Sequence, residues 1–170
     1  MKDLNENFRF SRYENSFIWL KEAGVALPVY CVQEPELPLL LSKSTNLFKL
    51  FLSDVGLLAS MYVDGLQLKI LSREKDINFG AIYENVAAQE LKAHGFELYY
   101  FNSKKQGELD FVIEYQKNVL PLEIKSGKAY TRHNALDNVL KDERYAIPQA
   151  FVFCNENVST QEKVTYLPIY

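Results

Sequence analysis

Within residues 107–128, GELDFVIEYQKNVLPLEIKSGK, charged side chains interrupt otherwise apolar strand sequence, an arrangement that is costly unless each charge has a partner or a task. Alternation along residues 119–125 places Glu123 and Lys125 on one face, with Leu122 and Ile124 on the other. The same parity applied to residues 108–115 places Glu108 and Asp110 together, with Leu109 and Phe111 opposite. A tight connection at Gln116, Lys117 and Asn118 makes the two strands an antiparallel pair and lets Asp110 approach Glu123. Converging carboxylates repel and raise one another's pKa unless a hard divalent cation lies between them. Mg2+, which takes few carboxylates and keeps several waters, suits such a pair.

Acid-x-lysine spacing occurs twice, as Glu90-x-Lys92 and Glu123-x-Lys125. On a helix, residues two apart lie about 200° around the axis and cannot serve one site, whereas on a strand they are neighbours on one face. Residues 79–94 read as a helix ending at Gly95, so only the second pair can act together. That helix carries a stripe of mainly small side chains, Gly80, Glu84, Ala87, Ala88 and Leu91, able to lie close to a sheet. Glu84 in this stripe is either a third acid of the site or a solvated edge carboxylate. For Asp110, Glu123 and Lys125 the plain structural alternative is a cross-strand ion pair on a solvated face, which contributes little.

The segment GELDFV followed by PLEIKSG resembles the core of the PD-(D/E)XK nucleases, in which an acid on one strand precedes Glu-x-Lys on the next. More narrowly, FLSDVGLLA, GAIYENVAAQEL, YYFNSKKQGELDFV, LPLEIKSG and TYLPIY together resemble the uncharacterised domain found C-terminal to bacterial and archaeal AAA-type ATPase cores. The resemblance implies a restriction-endonuclease-like mixed sheet flanked by helices. It implies that Asp110 and Glu123 hold Mg2+ or Mn2+, that Lys125 is a catalytic lysine beside the phosphate, and that Glu84 is an auxiliary catalytic acid. The implied activity is cleavage of DNA phosphodiesters by a domain partnered with an AAA-type ATPase. The alternative is a catalytically inactive module that binds nucleic acid or regulates the ATPase. No G-x-x-x-x-G-K-[ST] is present, so nucleotide hydrolysis is not expected of this chain and the ATPase part is absent from it, as in a fragment of a longer protein or the product of a decayed gene. Relatives of this type commonly carry a winged-helix-like stretch before the nuclease-like core, of which residues 11–53 retain a helix and a candidate hairpin.

Lys104, Lys105, Lys117, Lys128 and Arg132 are expected around the site as possible phosphate contacts, residues 102–133 holding six basic against four acidic side chains. The excess is slight, and a solvated loop face explains it equally well. His94 is expected to serve the C-terminal end of its helix, where a cation is favoured, and His133, near a helix start, to come within reach of the site.

The elements that must position these groups follow from local pattern. Residues 11–24 form a helix with a capping box at Ser11 and Glu14 and a stop at Gly24; Trp19 on it is expected to pack between helix and hairpin. Residues 25–32 and an apolar run around 47–52 form a hairpin, and Asp54 opens a short helix. A boundary near residues 65–76 separates an N-terminal helix-hairpin region, residues 1–75, from an α/β core, residues 76–170. The core reads α-β-β-β-α-β-β: the helix 79–94, strands 96–101, 108–115 and 119–125, a helix 131–140, then strands 150–154 and 163–167.

Composition bounds the rest. The chain has 170 residues, with 48% hydrophobic side chains and 11 each of Phe and Tyr, enough for one core and too little for two large domains. A net charge of −3 excludes a basic nucleic-acid coat, so any nucleic-acid contact must be local. The longest apolar runs fall well short of the roughly 20 residues of a membrane helix, and the amino terminus has no apolar signal core. Cys31 and Cys154 have no metal-ligand spacing and lie in apolar strands, as buried residues of a reducing cytoplasm would.

Overall fold

The structure is a computed structural model that describes residues 14–62, 68, 72 and 79–169. Among them, eight strands form one mixed sheet in the order Lys43–Leu52, Ala26–Val32, Tyr99–Ser103, Gly107–Tyr115, Asn118–Ile124, Ala150–Cys154, Val164–Pro168, Ser159–Gln161, with helices on its faces.

Helix α1 (Glu14–Glu22) stops where Gly24, at φ 70°, lets Gly24 and Val25 donate back to the Lys21 and Leu20 carbonyls. The expected cap at Ser11 lies outside the described residues. Phe17, not Trp19, packs on the hairpin, its ring edge-on to Phe48 at 5.1 Å. Trp19 is 75% exposed, which corrects the expectation that it fills the space between helix and hairpin: a helix this short offers one contact face, and Phe17 holds it.

Strands β1 (Ala26–Val32) and β2 (Lys43–Leu52) pair antiparallel, Ala26 opposite Leu52, with a 3-10 turn at Leu39–Ser42 between them. β1 also runs parallel beside β3 (Tyr99–Ser103), so the hairpin extends the same sheet as the later strands. Helix α2 (Val55–Ser60) is capped by Asp54, whose carboxylate accepts the Leu57 N–H at 2.9 Å. The boundary expected near residues 65–76 falls almost wholly on residues outside those described.

Helix α3 (Gly80–Ala93) buries Ile82, Asn85 and Ala88. It ends with Gly95 at φ 86° and Phe96 donating back to Leu91, which is why β3 begins at Tyr99 and not at the expected residue 96. Asn85 fastens α3 to the hairpin: its Oδ1 accepts from Leu52 N at 2.8 Å and its Nδ2 donates to Leu52 O at 2.9 Å. Strands β4 (Gly107–Tyr115) and β5 (Asn118–Ile124) pair antiparallel through a two-residue turn with Gln116 and Lys117 both at positive φ, the backbone that matches strand twist in a tight hairpin.

Helix α4 (Asn134–Lys141) covers the opposite face of the sheet through Leu136 and Val139. β6 (Ala150–Cys154) runs parallel to both β5 and β8 (Val164–Pro168). β7 (Ser159–Gln161), absent from the sequence expectation, is three exposed residues on the edge, too short and too polar to leave a pattern. Two core layers result. Leu109, Phe101, Val112, Leu136 and Val139 share the α4 side, and Phe111, Ile113, Leu122, Ile124 and Ala88 share the α3 side.

Candidate functional site

The strand parity expected for β4 is broken by a bulge. Phe101 and Tyr99 of β3 lie opposite Leu109 and Val112 of β4, so three steps of β4 span two of β3. The extra residue falls at Asp110 and Phe111. Leu109 therefore enters the α4-side core while Phe111 enters the α3-side core, correcting the expectation that they share a face. The bulge also ends the β4–β5 ladder. Its last pair is Phe111 with Leu122, and beyond it the Ile124 N–H donates to Oδ2 of Asp110 at 2.8 Å. The Asp110 carboxylate thus fills the fork where the two strands part.

Leu122 and Ile124 of β5 enter the α3-side core, while Glu123 between them and Lys125 just past the strand end meet each other. Lys125 Nζ lies 2.7 Å from Glu123 Oε2, with the Glu123 side chain only 3% exposed. Burial, followed by the charge of Asp110, pushes the Glu123 carboxyl up to about 7, against the opposing pull of Lys125. Burial works against the Lys125 ammonium, but the hydrogen bond and charge of Glu123, with Asp110 and Glu84, hold its pKa above the ordinary lysine value. Glu84, half-buried on α3, is raised chiefly by burial and next by Asp110, while Lys49 and Lys125 oppose the shift and Glu108 adds to it. Glu84, Asp110, Glu123 and Lys125 therefore form one electrostatic neighbourhood at the fork.

Two residues of this neighbourhood were not foreseen. Lys49 of β2 reaches Oε1 of Glu108 at 2.5 Å, and Asn102 of β3 donates to Oε2 of the same carboxylate at 2.8 Å. The only trace of Lys49 in the sequence is a lysine set between Phe48 and Leu50 in an apolar strand.

Other expected contributors lie elsewhere. Lys117 occupies the closed end of the β4–β5 hairpin, seven residues from Asp110 and roughly 20 Å along the strand, so it does not flank the fork. His133 stands at the N-cap position of α4 without a side-chain cap bond; its Nδ1 lies 2.9 Å from Asp137 and its Nε2 2.9 Å from the buried Tyr166 hydroxyl, which commits it to the α4-side core instead of the site. His94 does serve its helix end, Nδ1 lying 2.8 Å from the Glu90 carbonyl. Lys92 pairs with Glu97 at 2.5 Å, leaving Glu90-x-Lys92 unconnected as a pair. Lys104, Lys105, Lys128 and Arg132 are exposed, the first two in the β3–β4 turn and the others between β5 and α4. Cys31 and Cys154 are buried free thiols, as their apolar strands require.

A family model described as a domain of unknown function, DUF4143, matches residues 79–170. That is more than half of the chain and takes in α3, the fork and every strand from β3 onward. The chain belongs to this family. No curated protein and no solved structure matches it. Within the DUF4143 region lie Glu84, Asp110, Glu123 and Lys125, whereas Lys49 reaches the fork from outside the matched residues. Among the described residues, no helix is long and apolar enough to cross a membrane.

The donor chemistry of the fork can be tested against a divalent cation. Hard carboxylate oxygens are present on Asp110 and Glu123, and their mutual repulsion is what an added positive charge would relieve. Among the described residues, no three His, Cys, Asp or Glu side chains gather as a metal-binding group. Asp110 and Glu123 alone would suit an ion that keeps most of its own waters, as Mg2+ does.

Proposed function

We propose that this DUF4143 chain is a nuclease-like module of the PD-(D/E)XK type that cleaves DNA phosphodiesters with Mg2+ or Mn2+. The observation that carries the reading is the fork itself, where Asp110 and Glu123 converge with Lys125 at 2.7 Å from Glu123. Asp110 and Glu123 would hold the ion. The cation supplies Lewis acidity and offsets charge developing on the phosphodiester. Lys125 places a second positive charge beside the phosphate. Glu84, whose burial keeps a proton on it to higher pH than an exposed carboxylate, serves as the auxiliary acid. Lys104, Lys105, Lys128 and Arg132, all exposed, supply backbone phosphate contacts. Partnership with an AAA-type ATPase belongs to the same reading and rests on the sequence resemblance. A cytoplasmic setting is supported by the two free thiols.

One observation favours a silent module instead. Lys125 already neutralises one oxygen of Glu123, so the fork can close on its own ion pair and serve only to dock nucleic acid or regulate an ATPase. A cleavage assay on single- and double-stranded DNA with Mg2+ or Mn2+ separates the two, comparing wild type with Asp110→Asn and Lys125→Ala. Activity in wild type that falls by at least about a hundredfold in both variants supports the hydrolase. No cleavage, or cleavage unchanged in both variants, sinks it.

A further inference from the structure

Glu108 lies two residues before Asp110 on the same strand, on the other side of the bulge. Both of its oxygens are taken: Oε1 by the Lys49 ammonium at 2.5 Å and Oε2 by the Asn102 amide at 2.8 Å. Lys49 makes this contact across two intervening strands, β1 and β3. Its ladder partner on β1 is the fully buried Val29, and its ammonium passes over the Tyr100 ring of β3, 5.1 Å from the centroid, before meeting β4. The lysine stem lies over buried apolar strands and the Lys49 side chain is 24% exposed against 43% for Glu108, so the stem is held better than that of a loose surface lysine.

We propose that Lys49 is a positioning residue that holds Glu108 aside, so that the cation site at the fork offers two carboxylates, Asp110 and Glu123, and not three. The inference rests on the reading that this pair holds a divalent ion. Ligand number separates small, water-retaining ions from larger ones that accept more protein oxygens, so the Lys49 to Glu108 contact sets which cation the site prefers.

The test is Mn2+ titration calorimetry on the full chain, comparing wild type with Asp110→Asn, Glu108→Gln, Lys49→Met, Lys49→Arg and the double variant Lys49→Met/Glu108→Gln. Glu108→Gln should bind within about twofold of wild type, because the carboxylate it removes is not a ligand. Lys49→Met should bind about tenfold more tightly, as the released Glu108 swings in, and Lys49→Arg should match wild type. In the double variant the gain should vanish, leaving affinity within about twofold of Glu108→Gln alone. A gain that persists without Glu108 would show Lys49 acting through its charge only and overturns the proposal, as does an unchanged Lys49→Met. Should Lys49→Met fail to fold, Glu108→Gln decides: a loss comparable to that of Asp110→Asn makes Glu108 a ligand and ends the idea. Wild type that binds no Mn2+ removes the cation reading itself, an outcome distinct from binding that is abolished by Asp110→Asn yet indifferent to Lys49.

Discussion

The carboxylate of Asp110 accepts the backbone N–H of Ile124 at 2.8 Å, just past the Phe111–Leu122 pair that ends the β4–β5 ladder. A side chain thus completes what a strand carbonyl would otherwise do, and the same carboxylate raises the pKa of Glu123. Asp110 has two separable duties, one to the backbone and one to the site.

Substitutions at Asp110 should separate them. Asn keeps an acceptor for Ile124, so Asp110→Asn should stay within about 1 kcal/mol of wild type in stability. Ala leaves a part-buried N–H without its partner, and Asp110→Ala should be less stable than Asp110→Asn by about 1–3 kcal/mol in urea unfolding. Equal stabilities for the two variants would mean that the Ile124 bond contributes nothing.

Glu123 should make stability depend on pH in a defined window. Its folded pKa of about 7 lies above the ordinary value of 4.5, so below about pH 4.5 it is protonated in both states. As pH rises past that value the unfolded chain ionises first, and the stabilisation is lost progressively until the folded group also ionises near pH 7. The loss is on the order of 3 kcal/mol. Glu123→Gln removes it, so unfolding free energies measured at about pH 5, 6, 7 and 8 should diverge from wild type in favour of the variant up to near neutrality and then run parallel. Curves parallel throughout would place the Glu123 carboxyl at its ordinary value.

Asn85 should be a sensitive point for the attachment of α3. Its amide bonds both the N–H and the C=O of Leu52 from a position only 2% exposed. Asn85→Ala leaves both backbone groups without these partners at the end of β2, and the expected cost is about 2–3 kcal/mol. Asn85→Asp keeps the acceptor but loses the donor and should fall between. Thermal unfolding of the three proteins orders them; an Asn85→Ala variant as stable as wild type refutes the assignment.

Much of this arrangement was legible in the chain, and the limits have physical causes. Glu123 and Lys125 share a face because period-two alternation is enforced wherever Leu122 and Ile124 must be buried, and that burial is written in the residue types. Their task was not written there. Asp110 was placed near Glu123 by the short turn, but the bulge beside it was invisible, since an extra residue flanked by Leu109 and Phe111 looks the same whether it continues the alternation or resets it. Lys49 was invisible for a different reason: its partner lies fifty-nine positions later (49 to 108), and only the parallel placement of β1 beside β3 brings the two within reach. Trp19 misled because aromatic bulk signals burial on average and says nothing of which face a nine-residue helix turns inward.

Gly107, the residue before Glu108, tests how tightly the start of β4 is held. It adopts φ 101°, which side-chain-bearing residues rarely do, and a Cβ there would sit 2.9 Å from the Cβ of Ala135 on α4. Two costs therefore add in Gly107→Ala, one from backbone conformation and one from the helix, together about 2–4 kcal/mol. Pairing the substitution with Ala135→Gly should recover the steric part and leave the conformational part, so the double variant should be more stable than Gly107→Ala yet less stable than Ala135→Gly alone. Because β4 would have to shift to relieve the contact, Gly107→Ala should also loosen the Lys49 to Glu108 pair, read as faster hydrogen exchange at Glu108 and Asn102, where β3 and β4 face each other. Exchange left unchanged at those amides, with stability lost all the same, would place the strain in α4 and not in the strand that leads to the fork.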